Sequence, residues 1–97
     1  MTDTDKDAYT KKLEAQMKEW QANIDKLRAQ AEKAQADSQI EYEKQLKDLR
    51  SRRDQLQEKL KELQKNQSAA WNDIKAGADK AWDDMSRAMQ DAWKRFG

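Results

Sequence analysis

Residues 71–96 read WNDIKAGADKAWDDMSRAMQDAWKRF, and the spacing of the tryptophans in this stretch decides the fold. Trp71, Trp82 and Trp93 stand eleven residues apart, which is close to three full turns of an α-helix. Each indole therefore lies only about 20° around the helix from the previous one. The segment predicts a helix with one apolar face. We call this face the Trp stripe, and its members are Trp71, Ile74, Ala78, Trp82, Met85, Met89 and Trp93.

The composition of the whole chain predicts an all-α protein. The 97 residues suit one domain, and they include two glycines and no proline, which leaves little turn chemistry for a sheet. Strong helix formers dominate. Because 40% of the residues are charged and 36% are hydrophobic, disorder competes with extended helix and coiled coil, and apolar periodicity has to decide.

Two further apolar stripes precede the Trp stripe, and both advance in the steps of three and four that are typical of coiled coils. The N-terminal stripe consists of Tyr9, Leu13, Met17, Trp20, Ile24, Leu27, Ala31 and Ala34. The middle stripe consists of Leu46, Leu49, Arg53, Leu56, Leu60, Leu63 and Gln67, and Tyr42 precedes it by four residues. This periodicity favours helix over disorder. The steps between the two stripes are three fours in a row, which shifts the apolar face around residues 38–42.

The predicted single domain has a frayed N-terminus at 1–7, a long coiled-coil helix at 8–65, a turn at 66–68 and a Trp-rich amphipathic helix at 69–97. Asn66 and Ser68 are residue types that end and cap helices, which places the turn. Ser38 and Glu41 match a capping box, but a tight reversal there lacks Gly, Pro or Asn, which favours a continuous, locally bent helix. A three-helix bundle with a turn near 36–38 is the alternative, since the three segments have similar lengths.

Folding the last helix back onto the middle stripe gives an antiparallel coiled-coil hairpin in which stripe residues face each other. Arg53 then lies opposite Trp82, where its guanidinium can stack on the indole. The predicted hairpin seam comprises Tyr42, Leu46, Leu49, Arg53, Leu56, Leu60, Leu63, Trp71, Ile74, Ala78, Trp82, Met85, Met89 and Trp93.

The same hairpin leaves the N-terminal stripe without a partner in its own chain. An apolar stripe of this size does not stay exposed on a lone helix, so self-association as a homo-oligomer is expected. The predicted oligomer interface comprises Leu13, Met17, Trp20, Ile24, Leu27 and Ala31.

No catalytic, cofactor-binding or metal-binding residue is predicted, and neither an enzyme activity nor a small-molecule substrate is expected. The chain lacks His and Cys, and two glycines cannot form a phosphate-binding loop. The net charge is +1, and Asp48 and Asp54 flank the basic residues 50–53, which disfavours nucleic-acid binding. Neither an apolar leader nor a bilayer-length segment is present, so a cytoplasmic location is expected.

A peripheral membrane or lipid surface is the alternative partner of the Trp-rich helix. Its eleven-residue amphipathic repeat resembles those of exchangeable apolipoproteins and of late-embryogenesis-abundant proteins. Membrane-binding helices usually have a cationic polar face. Residues 69–97 contain five acids and five bases, which favours a structural seam.

Nearly the whole chain resembles a family of small bacterial coiled-coil stress-response proteins. The resemblance is carried by LEAQMKEWQANIDKLRAQAEKA at 13–34, IEYEKQLKDLRSRRD at 40–54, AWNDIKAGADKAWDDM at 70–85 and the terminal RF at 95–96. Its most specific parts are Tyr42 within IEYEKQ and the block around Trp71, Gly77 and Trp82. The resemblance implies a stress-linked scaffold or protective protein that acts by helix association, with no catalytic residues.

Overall fold

The computed structural model describes residues 3–65 and 70–96, which form three α-helices. Helix α1 spans Asp3–Lys33, α2 spans Ala36–Lys65 and α3 spans Ala70–Phe96, and no strand occurs in these ranges. The all-α prediction is confirmed, and the three helices fit the bundle alternative. The predicted turn at 66–68 lies outside the described residues.

The three helices lie side by side. Helix α1 has 31 residues and is therefore about 46 Å long, close to the 50 Å long axis of the molecule, whose other extents are 19 and 18 Å. Helix α2 packs closely against both α1 and α3. All three stripes contribute to one hydrophobic core, and no polar or charged side chain is buried in the described part of the chain.

The predicted long helix over 8–65 is wrong, because the chain leaves the helical conformation at Ala34–Gln35. The amide of Ala34 donates to the carbonyl of Ala31 at 3.2 Å, and the amide of Gln39 donates to the carbonyl of Gln35 at 2.9 Å. Helix α2 thus begins before Ser38, which lies inside its first turn and not at its cap. Apolar burial explains the break, since it lets the N-terminal stripe join the common core.

Residues 3–7 are helical, whereas fraying was predicted over 1–7. Carboxylates at Asp5 and Asp7 lie near the positive end of the helix dipole. The Thr10 hydroxyl donates to the carbonyl oxygens of Lys6, at 3.2 Å, and Asp7, at 2.9 Å. The Lys6 ammonium also lies 5.7 Å from the centroid of the Trp71 ring on α3. These local and tertiary contacts stabilise the first turn of α1.

Candidate functional site

The face between α1 and α3 is built from aromatic rings. The two helices make far fewer close backbone contacts with each other than either makes with α2, and large side chains span the gap between them. We call Tyr9, Trp20, Trp71 and Trp82 the aromatic seam. The ring centroids of Tyr9 and Trp71 are 5.7 Å apart at 76°, and those of Trp20 and Trp82 are 5.4 Å apart at 71°. Both pairs have the edge-to-face geometry that aromatic quadrupoles favour.

The aromatic seam has the same repeat on both helices. Tyr9 and Trp20 stand eleven residues apart, as do Trp71 and Trp82, so both rings of α1 meet rings of α3 in one register. The spacing in α3 was part of the sequence-based prediction, whereas the equal spacing in α1 was not. The shared interval was the signal that could have identified α1 as a partner of the Trp stripe.

A polar network borders the first aromatic pair. The Tyr9 hydroxyl donates to Asp79 Oδ1 at 2.6 Å, and Lys75 Nζ donates to Asp79 Oδ2 at 2.9 Å. Lys75 Nζ also lies 4.9 Å from the centroid of the Tyr9 ring. The network therefore joins the start of α1 to α3 through one carboxylate.

The network shifts the pKa values of both acidic groups in opposite directions. Burial, together with the hydrogen bond to Asp79 and its negative charge, raises the pKa of Tyr9 well above its usual range. For Asp79, burial favours the neutral form, but hydrogen bonds from Tyr9 and Lys75 and the charge of Lys75 outweigh it and lower the pKa. The arrangement thus keeps Tyr9 protonated as a donor and Asp79 ionised as an acceptor.

Polar side chains also join α1 to α2. Arg53 Nη1 donates to Gln21 Oε1 at 2.5 Å and Arg53 Nη2 to Asp54 Oδ1 at 3.0 Å. The prediction that Arg53 stacks on Trp82 is therefore wrong. The Arg53 guanidinium binds Gln21 on α1, and the Trp82 indole packs against Trp20. An arginine prefers amide and carboxylate acceptors that satisfy its donors over an indole face that satisfies none.

The residues of the predicted hairpin seam lie in or beside the core. Their pairing across α2 and α3 stays a prediction, since only their burial is established. The buried members are Leu46, Leu49, Leu56, Leu60, Leu63, Trp71, Ala78, Met85 and Met89. The half-buried members are Tyr42, Arg53, Ile74, Trp82 and Trp93.

The residues of the predicted oligomer interface are buried inside the single chain. The premise that the N-terminal stripe has no partner in its own chain is therefore wrong, because α2 and the rings of α3 cover it. Self-association stays a prediction, but an uncovered N-terminal stripe no longer supports it. The buried residues are Leu13, Met17, Trp20, Ile24, Leu27 and Ala31.

An open groove follows the aromatic seam toward the end of α3. Its volume is about 450 Å³, and Trp20, Met89 and Trp93 are its apolar lining residues. Ser86, Gln90 and Lys94 form its polar border. Trp93 is half-buried, so the groove leaves part of the third indole in contact with solvent.

The charged clusters of the sequence are divided among local ion pairs. Arg52 binds Asp48 at 2.9 Å, and Arg53 binds Asp54 at 3.0 Å, which reduces the basic character of residues 50–53. Within residues 3–65 and 70–96, no three acidic groups lie together as a metal-binding cluster would require. The ion pairs of Arg52 and Arg53 are partly exposed, and exposed ion pairs each contribute at most about 1 kcal/mol to stability.

Comparison with protein-family models, with curated proteins and with solved structures found no match for this chain. None of the helices within the described ranges combines the length and the apolar character needed to cross a membrane.

Proposed function

We propose that this chain is a non-enzymatic helix-association protein, a scaffold or protective protein of the bacterial stress response. The observation that carries the proposal is the dry core: in the described ranges every buried side chain is apolar, and the buried residues form one cluster across three helices. Such a core is stabilised by packing between the apolar faces of its helices. The link to stress, and a bacterial cytoplasmic location, rest on the resemblance and composition described above.

We further infer that the helices run up, down and up, so that α2 is antiparallel to both neighbours. Two contacts between α1 and α2 support this order, since Glu14 meets Gln64 and the later residue Gln21 meets the earlier residue Arg53. Contacts between α1 and α3 advance together, from Tyr9 with Trp71 to Trp20 with Trp82. The antiparallel hairpin expected for the middle and Trp stripes is thus kept as part of the proposal.

Sedimentation equilibrium across a wide concentration range tests the proposed association. We expect a mass that rises above the 11.4 kDa of one chain as the concentration increases. Circular dichroism at the same concentrations serves as the control that the helices are intact. A constant mass of one chain, with full helicity throughout, would contradict self-association.

A peripheral membrane protein is the second candidate, and the groove beside Trp93 favours it. A partly exposed indole next to Lys94 is a combination that suits the boundary between lipid headgroups and acyl chains. Burial of most of the Trp stripe counts against it, because α3 would have to leave the bundle to insert.

Tryptophan fluorescence with anionic and with neutral vesicles separates the two candidates. The association proposal expects emission that is blue-shifted in buffer and unchanged by either vesicle. Emission that shifts further with vesicles, and loses this response in Trp93→Ala but not in Ile40→Ala, would favour the membrane candidate. Ile40 is the matched control because it is the exposed large hydrophobic residue of the described ranges, at 55% exposure.

A further inference from the structure

We infer that Ala34–Gln35 is a hinge at which α1 and α2 can join into one continuous helix, so that two copies of this chain exchange their α1 helices. The inference rests on the self-association proposed above and specifies its form. The occupant of the vacated α1 position is the α1 helix of a second copy. The result is a domain-swapped dimer, a common route from a monomeric fold to a symmetric assembly.

The connection itself lacks the capping residues that normally end one helix and start another. Helices commonly end at Gly or Asn and are capped at their start by Ser, Thr, Asp or Asn, whereas this connection consists of Ala34 and Gln35. Both are strong helix formers. No residue in the described ranges has a positive φ, so the reversal contains no left-handed residue that would resist straightening.

The backbone hydrogen bonds at the hinge also favour a continuous helix. In the turn, the Ala34 amide reaches back only three residues, to Ala31, and the first regular bond of α2 runs from Gln39 to Gln35. The intervening amides, at 35–38, are the orphan donors of a helix start. Straightening would place a carbonyl four residues before each of them. The local sequence therefore favours a continuous helix, whereas the structure has a turn. Tertiary packing decides between the two conformations.

The packing that holds the turn can be supplied equally well by a second copy. Leu13 and Ile24 are fully buried, so α1 cannot swing away and remain uncovered in water. A straight helix from Asp3 to Lys65 would be about 95 Å long and would carry α1 beyond the reach of its own α3. The α2 and α3 helices of a second copy present the same leucines and the same indole of Trp82, so every contact of α1 is recovered between chains.

Ala36→Pro tests the hinge, because proline distinguishes the two states. Ala36 is the first residue of α2, a position that accommodates proline, and proline also disfavours a helical residue before it. In a continuous helix the same proline removes a hydrogen bond and clashes with the preceding turn. We expect unchanged helicity and about a hundredfold or greater loss in dimer affinity. Ala36→Gly, which weakens the helix without blocking it, is the matched control and should still dimerise.

A distance measurement reports the exchange itself. The chain has no cysteine, so Lys18→Cys and Glu58→Cys give two unique, exposed sites for spin labels. Doubly labelled protein is refolded with excess unlabelled protein, and the dimer is separated from the monomer. We expect about 60 Å between the labels in the dimer and about 20 Å in the monomer.

The two readouts separate this inference from the proposed function. A dimer in which the labels stay about 20 Å apart would overturn the exchange and leave self-association intact. A dimer that Ala36→Pro and Ala36→Gly leave equally stable would also overturn it. A parent protein that remains a monomer after refolding at every concentration would overturn both self-association and its exchanged form.

Discussion

The faces that α2 presents and the face between α1 and α3 use different chemistry. Helix α2 packs with leucines such as Leu49 and Leu56, which are completely buried and make no directed contacts. The aromatic seam instead uses two ring pairs, and its half-buried members Tyr9 and Trp82 lie in contact with water or polar groups. Buried apolar area therefore holds α2 in place, whereas individual ring contacts set the register of α1 against α3.

Helices α1 and α2 also differ in the number of neighbours against which they pack closely. Helix α2 packs closely on two neighbours, while α1 packs closely on one and touches the other through side chains. Loss of α2 would dismantle the core, but α1 can leave as a unit if another copy replaces it. The exchange inferred at Ala34–Gln35 removes α1 and leaves α2 packed against α3.

The largest expected change in stability comes from a substitution in the buried face of α2. Leu56→Ala removes a fully buried side chain, and we expect the free energy of unfolding to fall by about 2–5 kcal/mol. Urea unfolding followed by circular dichroism measures this change. Ile40→Ala serves as the control at an exposed position and should change stability by less than about 0.5 kcal/mol. Equal losses for the two variants would contradict the central position of α2.

A smaller effect is expected from coupling across the aromatic seam. In a double-mutant cycle of Trp20→Leu and Trp82→Leu, we expect a coupling energy of about 0.5–1.5 kcal/mol from the edge-to-face contact. The same cycle on Trp20 and Trp71 is the control, because Trp71 packs against Tyr9. Coupling that is equal in both cycles would mean that the rings do not set a register.

Gly77→Ala sharpens the account of the α2 and α3 interface. A Cβ at Gly77 would lie 3.4 Å from Cε of Lys59, an ordinary contact with the flexible end of a side chain. Because alanine is the better helix former, we expect the free energy of unfolding to rise by about 0.5–1 kcal/mol. Thermal unfolding measures the gain, with Ala76→Gly as the reverse change at the neighbouring exposed position. A loss in Gly77→Ala would indicate a closer approach of α2 than the structure gives.

The smallest effect concerns the polar network beside the aromatic seam. The folded pKa of Asp79 is lowered, so its contribution is present above the unfolded pKa of about 4 and is lost as the pH falls below it. The folded pKa of Tyr9 is raised, so its contribution is present below pH 10 and is lost as the pH rises further.

Comparison of the parent protein with Tyr9→Phe isolates these two contributions. We expect a stability difference below about 1 kcal/mol at pH 7 that shrinks toward both acid and alkaline pH. Urea midpoints of the two proteins from pH 3 to 11 measure it. A difference that does not vary with pH would contradict the coupling of the Tyr9 hydroxyl to the charge of Asp79.

Much of the fold was predictable because apolar periodicity marks buried positions directly. The stripes identified Leu13, Leu49 and Met85 as apolar face residues, and all three are completely buried. The break at Ala34–Gln35 was not predictable from its own residues, because both are helix formers and neither is a glycine, proline or asparagine. The break exists because three stripes of similar length cover one another, and that is a property of the whole chain.

The candidate site was only partly predictable for a similar reason. The interval between Trp71 and Trp82 placed both indoles on one face, but periodicity within a helix does not specify which helix lies opposite. The contact of Trp20 with Trp82 depends on the three-dimensional order of the helices. Arg53 was predicted to lie in the hairpin seam, but its guanidinium donates a hydrogen bond to Gln21. Gln21 lies on α1, which the hairpin prediction left without a partner.

The packing of α1 against α3 can be tested by one distance. Glu19→Cys and Asp83→Cys are exposed sites for spin labels, one on each helix. At concentrations where sedimentation gives the monomer, the three-helix bundle predicts about 20 Å between the labels. A hairpin built on one continuous helix over 8–65 would place residue 83 opposite residue 52, about 50 Å along that helix from residue 19. The longer distance in the monomer would contradict the account.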